Sequence, residues 1–165
     1  MKKLLLFAAL AALSFGQQTI RFAATTGDMT LSAARTTTLQ QLASNQSQIL
    51  IDQIIVYCSV DCSITQAANG AAATSTAGTI TPILPTQLAL TVPATFWTTS
   101  NVGSGTAQGG ALHVPAGATA ILCLSPMCGA PAQVTLGTGG TGANYSLTIG
   151  NISGTANVTF YGRTQ

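Results

Sequence analysis

The chain has 165 residues, of which 47% are hydrophobic and only 5% charged. Its net charge of +2 comes entirely from Lys2 and Lys3, because Arg21, Arg35 and Arg163 balance Asp28, Asp52 and Asp61 and there is no glutamate. Three scattered arginines cannot form the basic stripe that neutralises phosphates, which excludes nucleic-acid binding and disfavours anionic membrane surfaces.

The first segment reads as a secretory signal peptide over residues 1–16. Met1-Lys2-Lys3 is a positive n-region, Leu4 to Leu13 is an apolar h-region, and Ser14-Phe15-Gly16 supplies small residues for cleavage. The h-region is too short to span a bilayer, and no later run approaches the roughly 18 apolar residues a membrane helix needs. The mature chain would begin at Gln17 and hold 165 − 16 = 149 residues, one domain over 17–165. Its expected location is extracellular or on the cell surface, with the periplasm as an alternative.

Strand signals follow at short spacing. Thr19 to Ala23, Met29 to Ala33 and Thr37 to Leu42 are short candidates, and Ile49 to Cys58 is the strongest, a β-branched run. Residues 17–45 therefore form either strands of the chain's own sheet or a strand-donating segment that pairs with a neighbour's edge. Asn69-Gly70 is a type I′ hairpin signal expected to join Cys62–Ala67 to Ala71–Thr76. Between Pro85 and Pro93, Gln87 to Val92 reads as an edge strand or an extended connection. Phe96 to Ser100 is a short strand, Asn101 to Gly110 a glycine-rich loop, and Pro115-Ala116-Gly117 a turn into Thr119 to Leu124.

The last third is the most regular. Gln133 to Leu136, Asn144 to Ile149 and Ala156 to Tyr161 are separated by glycine-rich turns. Alternation puts Tyr145, Leu147 and Ile149 on one face and Asn144, Ser146 and Thr148 on the other. The pattern predicts an all-β, antiparallel β-sandwich of jelly-roll type. Ile54, Val56, Leu122, Leu147, Ile149, Val158 and Phe160 are its predicted core.

Four cysteines in an exported chain imply two disulfides. Cys58 and Cys62 are spaced C-x₃-C, and Cys123 and Cys128 are spaced C-x₄-C. Local pairing would staple two tight turns; bridges between the two clusters are the alternative. Neither spacing suits a Cys₄ metal site or a redox C-x-x-C motif, so no metal is expected.

No catalytic constellation emerges. His113 is the only histidine, G-x-S-x-G is absent, and the three aspartates are far apart in sequence. The reading is therefore not an enzyme and uses no cofactor. Asp61, between two cysteines, suits a turn cap better than a calcium ligand. The expectation is a secreted structural or surface protein whose partner is itself, assembling through strand addition. The alternative is a carbohydrate-binding or adhesive module presenting Trp97, Asn101 and His113 to a surface glycan.

Overall fold

A computed structural model describes residues 19–41, 48–68, 76–99, 106–107, 110–128, 130, 134–136, 144–150 and 153–165. The proposed leader and the turn at Asn69-Gly70 lie outside these residues. All regular structure among them is β, apart from two 3₁₀ turns at Pro85–Gln87 and Pro126–Cys128.

Among the described residues, fourteen strands form two antiparallel sheets. The first contains β1 (Arg21–Thr25), β2 (Met29–Thr30), β4 (Ile49–Cys58), β7 (Thr79–Pro82), β11 (Thr119–Cys123), β12 (Val134–Leu136) and β14 (Thr155–Thr164). Its order is β11-β4-β14-β1-β7, with β12 also on β4 and β2 on β14. The second contains β3 (Arg35–Gln41), β5 (Cys62–Ala68), β6 (Thr76–Ala77), β8 (Ala94–Thr99), β9 (Thr106–Ala107), β10 (Leu112–Val114) and β13 (Asn144–Ile149). Its order is β10-β5-β13-β3-β8-β6, with β9 on β5.

The ladder between β4 and β14 is the centre of the first sheet. Their registers place Ile54 opposite Phe160 and Val56 opposite Val158, so the apolar residues of both strands share one face. In β14 burial alternates along its whole length, as the sequence period requires. Between Tyr161 and Gly162 the register shifts, because their partners Gln53 and Ile51 leave Asp52 as an extra residue in β4. A Cβ at Gly162 would lie 2.5 Å from the Leu50 carbonyl oxygen and 2.8 Å from Phe22 Cζ, so glycine lets the backbone of β4 and the Phe22 ring close in.

The two inner faces share one hydrophobic core, to which Phe22, Ile54, Val158 and Phe160 come from one sheet and Leu39, Phe96, Leu147 and Ile149 from the other. Of the residues predicted for it, Leu122 is half-buried against its edge and the others are fully enclosed.

The early strands are placed inside the chain's own sheets. β1 lies between β14 and β7, and β3 lies between β13 and β8. Two local expectations differ from the structure. Gln87 to Val92 is no strand: Pro85 starts a 3₁₀ turn, and Leu90 N–H then donates to Gln87 C=O at 2.8 Å, which curls the backbone. Thr76 pairs with Thr98 in β8, not with β5, whose two sides are taken by β13 and by β10 and β9.

Candidate functional site

The residues suggested for glycan binding do not converge. Trp97 is on β8, paired with Thr38 and Ala77. His113 is on β10, paired with Ser63, and is exposed. The strands β5, β13 and β3 lie between, so about four strand spacings of ~4.8 Å separate the two positions, roughly 19 Å. Asn101 lies outside the described residues.

Arg163 and the three aspartates are engaged in structural contacts. Arg163 Nη1 donates to Asp52 Oδ1 at 2.5 Å. Asp28 Oδ1 accepts from Asn157 Nδ2 at 3.2 Å, and Asp61 Oδ1 accepts from Ala116 N–H at 2.7 Å, capping the turn before β11. Among the described residues no three of His, Cys, Asp and Glu come together as a metal site would require. Burial pushes the pKa of Tyr145 up to about 12. Its hydroxyl donates to Gln66 Oε1.

The cysteines pair locally. Cys58 bonds Cys62 and Cys123 bonds Cys128, with Cα separations of 6.3 Å and 5.7 Å. Cys58 and Cys62 are buried, whereas Cys128 is exposed beside Met127. Two such bonds suit an oxidising compartment. Among the described residues, no helix is long and apolar enough to cross a membrane.

More telling are the sheet edges. The edge strands of the second sheet are short, three residues in β10 and two in β6. In the first sheet, Ile83 N–H donates to Arg21 C=O at 2.9 Å, which sets the phase of the β1–β7 ladder: Thr79 and Thr81 face β1, while Ile80 and Pro82 face out. Pro82 has no N–H, so this edge offers one outward donor.

β11 has no such protection. Cys58 N–H donates to Ala118 C=O at 3.3 Å and Leu124 N–H to Asp52 C=O at 2.9 Å. Even-numbered residues of β11 therefore bond to β4, and Thr119, Ile121 and Cys123 turn their N–H and C=O groups outward. Among the described residues no strand pairs with them. The strand carries no charge, proline or bulge, and Ile121 is 64% exposed. Natural edges are normally blunted by such features, so β11 is a ready template for another strand. The sequence TAILC contained the signal, a run without lysine or proline, but edge position comes only from the topology.

A cavity of about 480 Å³ opens at the other side of the molecule, between β7, the turn after Gln87 and the start of β8. Ile80, Leu88, Leu90, Val92 and Phe96 contribute its apolar lining. Compared with known proteins, this chain matches no family model, no curated protein and no solved structure.

Proposed function

We propose that this chain is an exported, non-enzymatic structural or surface subunit that associates with copies of itself through β11. The leader-like residues 1–16 would route it out of the cytoplasm, and jelly-roll-like crossings between the sheets would hold the strands of the mature domain. The unguarded edge of β11 carries this reading. Two copies related by a two-fold axis through Ile121 would pair Thr119 with Cys123 of the second copy and join their first sheets into one. Few charges oppose that approach, because the balance beyond the leader is 3 − 3 = 0. The early strands have partners within the chain, which favours the edge over a donated N-terminal segment as the means of assembly.

Ile121→Pro tests it. The Ile121 N–H points away from β4, so proline removes an intermolecular donor without breaking the internal ladder. Light scattering after size exclusion should show dimers or larger assemblies for the mature protein and monomers for Ile121→Pro and Ile121→Lys, all with native circular dichroism. A parent protein that is monomeric up to about millimolar concentration, the weak-binding limit, overturns the reading, as do assemblies unchanged in both variants.

A further inference from the structure

The lateral cavity is unusual in what surrounds it. Its floor is Phe96, whose ring contacts Phe160 edge to face and so belongs to the rigid core. The chain crosses from β6 to β7 at Gly78, where a Cβ would lie 2.4 Å from Phe96 Cδ1. Glycine there lets the strand crossing lie directly against the ring. One wall is the turn after Gln87, fixed by Pro85 and by the buried Gln87 side chain, which accepts from Arg21 N–H at 3.0 Å and donates to Thr19 C=O at 2.6 Å. The cavity is thus formed in advance of any ligand. Leu88 stands in its lining yet is 61% exposed, an apolar side chain with much of its surface in water.

The chemistry of the lining selects an occupant. Aliphatic side chains and Phe96 dominate, and the polar side chains are those of Thr81, Thr91 and Thr95. Among the described residues no charged one lines it. An ionised group entering would lose hydration with no opposite charge to replace it. The volume lies within the roughly 300–1,000 Å³ of small-molecule sites. An extended peptide fits less well, since Pro82 leaves the adjoining edge of β7 with a single outward donor.

We propose that this cavity binds one uncharged small molecule with an aliphatic body and a hydroxyl head, of the class of medium-chain alcohols. The aliphatic part lies against Phe96, Leu90 and Val92, and Leu88 folds over it at the mouth. This site is independent of β11, so its failure and that of self-association are separately visible.

The test is titration calorimetry of the full mature protein with 1-hexanol, 1-octanol and 1-decanol, alongside octanoate and octylammonium. Affinity should rise about fourfold per methylene until the cavity is filled, the factor expected for burying one CH₂. The two ions should bind at least tenfold more weakly than octanol, on the order of their added desolvation. Leu88→Asp, at the exposed mouth, and Ala94→Leu, which fills the lining, should each weaken octanol about tenfold or more with the thermal midpoint of Leu88→Asp unchanged. Affinity independent of chain length, octanoate binding as tightly as octanol, or full binding by Leu88→Asp overturns the proposal. Displacement of octanol by a strand-forming peptide that binds more tightly also overturns it, in favour of a peptide groove.

Discussion

Phe96 and Phe160 meet edge to face across the two sheets, with ring centroids 5.4 Å apart and planes inclined at 66°. Both rings are buried, and this geometry sets the positive edge of one ring against the negative face of the other. Phe160→Ala should lower stability by about 3–5 kcal/mol, and a double-mutant cycle with Phe96→Ala should give a coupling of about 0.5–1.5 kcal/mol. Urea denaturation measures both. A loss below about 0.5 kcal/mol for Phe160→Ala is incompatible with this packing.

Tyr145 makes stability sensitive to alkali. Burial favours the neutral phenol and raises its folded pKa from the ordinary phenol value of about 10 to about 12. Between these values the unfolded chain loses the proton first. The stabilisation is therefore complete below pH 10 and is lost as pH rises towards 12, by about 2–3 kcal/mol. Tyr145→Phe should unfold more easily at neutral pH, having lost the bond to Gln66, but should show a flatter decline above pH 10. An equal slope for both proteins would assign the alkaline transition elsewhere.

The two disulfides differ in accessibility, not only in position. Cys58 and Cys62 are enclosed in the core, whereas Cys128 is exposed. Limited reduction followed by alkylation should label Cys123 and Cys128 before Cys58 and Cys62. Loss of either bridge should cost about 2 kcal/mol, since each closes a small loop. Non-reducing peptide maps showing bridges between the two clusters would refute the local pairing.

Gln87 acts as a substitute for backbone. Its side-chain amide bonds Arg21 N–H and Thr19 C=O just where Pro82 ends the pairing of β7 with β1. Gln87→Leu should cost about 1–3 kcal/mol by leaving these groups unpaired. Hydrogen exchange at the Arg21 amide should accelerate more than exchange at Val158 in β14. Uniform acceleration at both would mean that Gln87 contributes only to global stability.

Much of this fold was legible because short-range pattern and long-range packing agree. Ile49–Cys58 and the alternation leading to Phe160 carry their burial in the order of their residues. Pairing between distant strands leaves no such trace: nothing near Arg21 reveals that β1 lies between β14 and β7. The polar face of β13 misled more subtly. Asn144 and Ser146 alternate with Tyr145 and Leu147 as if to meet water, yet they are buried, and Ser146 and Thr148 bond Thr38 and Thr36 at 2.9 Å each. Hydroxyl pairs across strands satisfy polar groups that sequence alone assigns to solvent. Neither β11's exposure nor the cavity could be read without the sheet order, while Trp97 and His113 drew notice through residue type alone.

The place of β1 beside β14 has a consequence for the order of events in folding. Ile20 N–H bonds Thr164 Oγ1 across 144 residues of sequence, and one of the two neighbours of β1 is β14, the last strand in chain order among the described residues. Closing so long a loop precedes any reward from these contacts, which makes the final step slow. The first sheet cannot close until β14 has docked between β4 and β1, so a chain shortened before Thr155 would leave these two strands with nothing to join them.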